Sequence, residues 1–227
     1  MEKIAAILIA AHAFGDFVLQ PGWLVTRKAK APYLVFHALI QAAVAYILLQ
    51  AWNCWQAPLF VFATHAAIDW GKLRLPDTAK WFAADQIVHA LSVFLLAWLL
   101  VHYAIVPSFS GIGYPLIVLF AGFVLTVRGS GFLVEKFANR LIEQNQLEIG
   151  GLIEGGTWIG RFERALIFVL IFIDQPTGIG FLVAAKSILR FEEARQQKLA
   201  EYVLIGTLLS FSLAITLSFL TKWAMAL

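Results

Sequence analysis

The sequence predicts an all-α protein: a polytopic transmembrane helical bundle of about eight membrane segments, with a tandem repeat of helical hairpins in its first half. Three observations carry this expectation. Of 227 residues, 61% are hydrophobic and 14% charged, with a mean hydropathy of +0.80, whereas soluble domains carry about 25% charged residues. The apolar residues gather into runs bounded by Pro, Gly or charge, comparable to the roughly 20 residues that cross ~30 Å of hydrocarbon. A His-x-x-x-Asp-aromatic pattern recurs 53 residues apart. Such a composition excludes a water-soluble domain, a disordered chain and a nucleic-acid binder. The excess of 17 Lys and Arg over 14 Asp and Glu reads as cytoplasmic loop charge. The single cysteine, Cys54, rules out an internal disulfide or a thiolate cluster.

The predicted segments lie near residues 4–20, 33–52, 57–70, 81–105, 113–128, 157–174, 177–190 and 202–221, the third and seventh being short. Ala11-His12-Ala13 resembles a signal-peptide cleavage site, but the apolar stretch before it is short and its motif repeats later, so the first segment reads as a retained span. Basic residues cluster in alternate loops: Arg27, Lys28 and Lys30; Lys72, Arg74 and Lys80; Arg128, Lys136 and Arg140; Arg190, Arg195 and Lys198. The loops around Asn53–Gln56, Pro107–Tyr114 and Asp174–Thr177 have none. By the positive-inside rule both termini lie outside the cytoplasm.

Residues 132–149 place Leu133, Phe137 and Leu141 on one stripe and Glu135, Lys136, Arg140 and Glu143 opposite, the pattern of an amphipathic helix on the cytoplasmic membrane surface. The charged stretch Glu192–Glu201 reads as a helix projecting into the cytoplasm. The expected organisation is a His/Asp-bearing hairpin repeat over 1–128, the interfacial helix over 129–150, and C-terminal membrane helices of the same domain over 151–227.

Within the repeat, His12-x-x-x-Asp16-Phe17 is matched by His65-x-x-x-Asp69-Trp70, and His37 by His89 at an offset of 52. The position matching Asp85 is Tyr33. Spacing i, i+4 stacks each His over its Asp on one helix face. Counting depth along the spans puts His12, Asp16, His37, His65, Asp69, Asp85 and His89 in one layer at the inner leaflet, while His102 near the outer end of segment four reads as a packing residue. An ionised carboxylate at depth costs on the order of 3 kcal/mol, which makes such a layer a functional candidate. His and carboxylate suit zinc, iron or manganese, and a set with an open position acidifies bound water. The metal candidates are His12, Asp16, His65, Asp69 and His89; Asp85 is a ligand or general base, His37 a ligand or acid, and Gln20 and Gln86 orient water or a substrate carbonyl. The same groups without a metal form a proton relay. Spacing leaves both readings open.

In the second half, two Gly-x-x-x-Gly spacings between Gly151 and Gly160 suit close helix approach and oligomer contacts. Arg164, Lys186 and Arg190, with Glu163, form either interhelix ion pairs or a cationic clamp for the phosphate or carboxylate of an anionic lipid or small-molecule substrate. No Walker-type, Gly-x-Ser-x-Gly or His-Glu-x-x-His motif is present.

The ordered set His12-x-x-Gly-Asp16-Phe17-x-x-Gln20, His37, His65-x-x-x-Asp69 and Asp85-Gln86-x-x-His89 resembles the bacterial integral-membrane proteins of the domain of unknown function 3307 family, over roughly the first 130 residues. The later Gly-Arg161-Phe-Glu163-Arg164 stretch and the stretch from Lys186 to Glu193 are similar to the C-terminal parts of such proteins. The resemblance implies a bacterial inner-membrane location and no particular activity. A looser analogy runs to membrane-bound metal-dependent hydrolases. The expected function is a metal-dependent hydrolase acting on a lipid or other membrane-partitioning substrate; the alternatives are a small-solute or ion-coupled transporter and a non-catalytic sensor or assembly partner.

Overall fold

The computed structural model describes residues 1–147, 152, 154–189 and 197–227, and the regular elements among them are all helical. The chain divides into two units. The first comprises Met1–Val124 with Trp223–Leu227, and the second Leu125–Lys222.

The first unit contains α1 (Glu2–Phe17), a short α2 (Gly22–Arg27), α3 (Ala31–Leu49), α4 (Gln56–Lys72), α5 (Ala79–His102) and α6 (Tyr114–Val124). Helix α1 is its axis and packs on α3, α5 and α6, while α3 packs on α4 and α4 on α5. Ala5, Ala10, Ala11, Ala13 and Gly15 of α1 are buried together with Ile4, Ile7 and Leu8, so small side chains let the neighbouring backbones close on it from several directions. Pro32 sits in the first turn of α3, where its missing N–H would have no helical partner anyway. Thr78 caps α5, accepting from the Trp81 N–H at 3.5 Å. Thr78→Ala is expected to lower stability by about 1 kcal/mol, the usual value of such a cap, read as a shift in thermal unfolding.

The core of this unit lies at one end of the bundle. It joins Ile4, Leu8 and Ala11 to Ala45 and Leu49, Cys54 and Ala57, and Val93, Leu96 and Leu100. The polar residues of the same helices fall towards the other end. Gln50 ties two loops at the apolar end, its amide donating to Ile112 O and accepting from Ile112 N at 3.0 Å each. Along α5, Ile87, Leu91, Phe94, Leu95 and Trp98 are exposed, a continuous apolar stripe of the kind that hydrocarbon covers.

The second unit contains a π-helical turn (Leu125–Gly129), α7 (Ser130–Asn145), α8 (Gly155–Phe172), α9 (Thr177–Leu189) and most of α10 (Gln197–Met225). Ile167 and Ile171 of α8 pack with Ile179, Phe211 and Ala214. Lys222 pairs with Asp174.

Among the described residues, four helical runs are long and apolar enough to cross a membrane: Ala31–Leu49, Ala79–His102, Tyr114–Asn145 and Gln197–Met225. The other four expected segments fall short for identifiable reasons. Helices α1 and α4 have 16 and 17 residues, about 24–26 Å at 1.5 Å per residue. Helix α9 has 13 described residues and runs to the edge of the described stretch. Helix α8 has 18 residues but includes Arg161, Glu163 and Arg164. The fifth segment and the amphipathic stretch after it form one helical run, joined through the π turn. The first half of the projecting helix expected over Glu192–Glu201 lies outside the described residues, and the second half, residues 197–201, opens α10.

Candidate functional site

The i, i+4 pairs of α1 and α4 and the first turns of α3 and α5 converge at the polar end of the first unit. His37 is fully buried, and His65, Asp69 and His89 are 2–3% exposed. His65 is the hub: its ring centroid lies 4.3 Å from that of His89, 4.9 Å from His37 and 5.6 Å from His12. His12 stacks on His89 at 4.8 Å.

Four polar atoms face one another within this cluster: Asp16 Oδ1, His37 Nε2, His65 Nε2 and an oxygen of Asp69. His37 Nε2 is 3.0 Å from His65 Nε2, 3.1 Å from Asp16 Oδ1 and 3.7 Å from Asp69 Oδ2. His65 Nε2 is 3.6 Å from Asp16 Oδ1 and 3.3 Å from Asp69 Oδ2. A tetrahedral ion with bonds of about 2.0–2.1 Å has edges between its ligand atoms of roughly 3.3 Å. These five separations bracket that value, and His37, His65 and Asp69 form a triad whose ligand atoms all lie within 4.8 Å of one another and could hold a metal ion, with Asp16 close to both histidines. Two further triads share members with it, each holding its ligand atoms within 4.8 Å: His12, Asp16 and His65; and Asp69, Asp85 and His89.

The second of these triads is open. His89 Nδ1 lies 3.0 Å from the Asp85 carbonyl oxygen; a carbonyl only accepts, so Nδ1 carries the proton and Nε2 a lone pair. That Nε2 is buried without a partner, as is Asp85 Oδ1. A ring nitrogen held by its other N–H against a carbonyl is how metal-binding histidines are commonly oriented. His37 departs from this pattern, since its Nδ1 is itself unpartnered.

The carboxylates are otherwise compensated by neighbours. Gln41 Nε2 donates to Asp16 Oδ1 at 2.6 Å and to the His12 carbonyl at 3.4 Å. Gln86 Nε2 donates to Asp16 Oδ2 at 3.4 Å and Asp85 Oδ2 at 3.1 Å, while its Oε1 lies 3.3 Å from His12 Nε2. Lys72 donates to Asp85 Oδ2 at 2.6 Å. Lys28 Nζ lies 2.5 Å from Asp69 Oδ2 as an ion contact without hydrogen-bond alignment.

All seven His and Asp residues expected in one layer therefore meet, with Gln86 beside them. Gln20 follows the C-terminus of α1 and is half-buried. Arg164, Lys186 and Glu163 belong to the second unit: Lys186 pairs with Glu163 at 2.8 Å, and Arg164 bonds Val127 O and Ser210. Arg190 lies outside the described residues. Four neighbours fall outside the expected set: Gln41, Lys28, Lys72 and Gly15. Gln41 has a signal in the sequence, since it follows His37 by four residues and shares its face. The two lysines carry only the signature of loop anchors. Gly15 is required by contact, because a Cβ there would lie 2.3 Å from the Gln41 amide.

Residues 4–111, which include every His and Asp of the cluster, match a family model described as protein of unknown function (DUF3307). No curated protein and no solved structure matches the chain.

Proposed function

Proceeding from the DUF3307 match of the half that bears the cluster, we propose that this protein is a metal-dependent hydrolase of the bacterial inner membrane. Its substrate is a lipid or another membrane-partitioning ester or phosphoester, and its four basic loops face the cytoplasm. The single observation carrying the reading is the convergence of the His37, His65 and Asp69 ligand atoms within 4.8 Å of one another, with Asp16 Oδ1 3.1 Å from His37 Nε2 and 3.6 Å from His65 Nε2.

A divalent ion would supply Lewis acidity, lowering the pKa of bound water towards neutrality. His37, His65 and Asp69, with Asp16 beside them, would hold it, and the adjoining Asp69, Asp85 and His89 triad would leave a position for water or a second ion. Asp85 Oδ1 is the buried, unpartnered carboxylate oxygen that takes the proton, while Lys72 holds Oδ2 still. Gln86 bridges Asp16 and Asp85 and keeps their carboxylates in register.

Purified full-length protein in detergent should contain one or two equivalents of zinc, iron or manganese by elemental analysis. Its turnover of a fluorogenic phospholipid should vanish on chelation and return with metal. Folded protein holding below a tenth of an equivalent would overturn the reading.

One observation favours a carrier instead. Lys28 and Lys72 already compensate Asp69 and Asp85, as in a site where an ion exchanges against a protein cation. That reading gains if the metal-free protein moves protons or small cations into vesicles.

A further inference from the structure

The second unit carries a half-open pocket of about 300 Å³, at the lower end of the range for small-molecule sites. It is lined by the first turn of α8, Gly155 to Thr157, and by Arg128, Arg161 and Arg164. We propose that this pocket binds a phosphate-bearing anion, with Arg164 as its principal anchor. The proposal stands on the second unit alone and is independent of the metal reading.

Arg164 is 4% exposed. Its guanidinium donates from Nε and Nη2 to the Val127 carbonyl, at 3.1 and 2.9 Å, and from Nη1 to Ser210 Oγ at 3.2 Å. These three bonds use three of its five N–H groups, and both acceptors are neutral. No carboxylate among the described residues forms a salt bridge with it. The nearest in sequence, Glu163, is held by Lys186 at 2.8 Å. Glu163 acts on Arg164 only through space, and the lining sets Arg128, Arg161, Arg164 and Lys186 against Glu135, Glu154 and Glu163, so an anion in the adjoining pocket would add the direct counter-charge that the buried guanidinium lacks.

The surroundings hold the guanidinium in place. Val127 lies in the π-helical turn, an element frequent at functional sites. Gly131 and Gly160 leave room on either side: a Cβ would come within 2.6 Å of Nη2 at the first and 2.9 Å of Nη1 at the second. Such a pinned, planar fork suits the oxygens of a phosphate. Helix α8 adds its positive end, since no side chain caps its N-terminus. Arg161, with its guanidinium 5.0 Å from the Trp158 ring centroid, supplies a second cation on the same lining.

Phosphate chemistry here has two sources, a phospholipid headgroup or a soluble phosphate. The test titrates inorganic phosphate, dihexanoyl phosphatidylglycerol and uncharged dihexanoylglycerol into delipidated full-length protein by calorimetry. At least one phosphate-bearing probe should bind saturably at one per chain, and the uncharged one should not. Binding of phosphate assigns a soluble source, and binding of phosphatidylglycerol alone a lipid source. Arg164→Gln should weaken binding at least tenfold and Arg161→Gln at least threefold. Because Arg164 also ties Val127 to Ser210, its loss puts folding itself at stake; should that variant not fold, Arg161→Gln, at a half-buried site, decides. No saturable binding by either phosphate probe overturns the proposal, as does wild-type affinity in Arg161→Gln or in folded Arg164→Gln.

Discussion

His65→Ala is expected to reduce bound metal from stoichiometric to below a tenth of an equivalent, and hydrolysis with it. Loss of partners that merely orient a ligand weakens metal binding about 10–100-fold, so loss of a ligand itself should weaken it by at least the upper value. His65 is the histidine with most at stake, because its Nε2 approaches His37, Asp16 and Asp69, and two of the three metal-competent triads include it. The comparison variant is His102→Ala. That ring stacks on Trp98 at 4.7 Å, at the C-terminus of α5 and away from the cluster, and its removal should leave metal content unchanged. Equal loss in both variants would mean that the metal follows general integrity of the fold. Full retention in folded His65→Ala would remove the cluster as the metal's site.

Gly15→Ala should destabilise the protein by roughly 3 kcal/mol, although alanine is the better helix former by about 0.8–1.0 kcal/mol. The added Cβ would meet the Gln41 amide at 2.3 Å. Gln41 is 1% exposed and has little room to move. Overpacking of this kind costs about 1–3 kcal/mol, and displacing the amide strips Asp16 of its 2.6 Å donor, costing about 1–3 kcal/mol more. The sign should reverse when Gln41 is already alanine: the Cβ then has space and the helix-propensity gain returns. In the Gln41→Ala background, Gly15→Ala should therefore be neutral or slightly stabilising. Thermal unfolding of the four proteins of this double-mutant cycle measures the coupling; an additive cycle would disprove the contact argument.

What the sequence disclosed of the site, and what it withheld, divide along a physical line. Spacing i, i+4 dictates that His12 lies over Asp16 and His65 over Asp69, and depth counted along the spans brings His37, Asp85 and His89 to the same level, where the helices join them. Partner choice is a matter of lateral packing, which spacing does not encode. That Gln41 serves Asp16, or that Lys28 reaches Asp69 on another hairpin, depends on the way α1 and α3 close together over Gly15. The two lysines are also masked by a sound rule, since basic residues flanking spans orient membrane proteins whether or not they do anything else. The expected segment count exceeds the number of long apolar helices among the described residues where apolar composition outruns helix length, in α1 and α4. The continuity of Tyr114–Asn145 is hidden by Arg128, which reads as a boundary charge but sits in a π turn.

The four converging donor atoms come two from each hairpin: Asp16 and His37 from the first, His65 and Asp69 from the second. The second hairpin also carries the Asp69, Asp85 and His89 triad by itself, whereas the cluster around His37 and His65 draws on both hairpins. The position occupied by Asp85 in one copy is Tyr33 in the other, and the unpartnered oxygen exists on one side only. On the proposed reading, the paired His and Asp positions would hold the ion, and Asp85, present in one hairpin alone, would serve the chemistry.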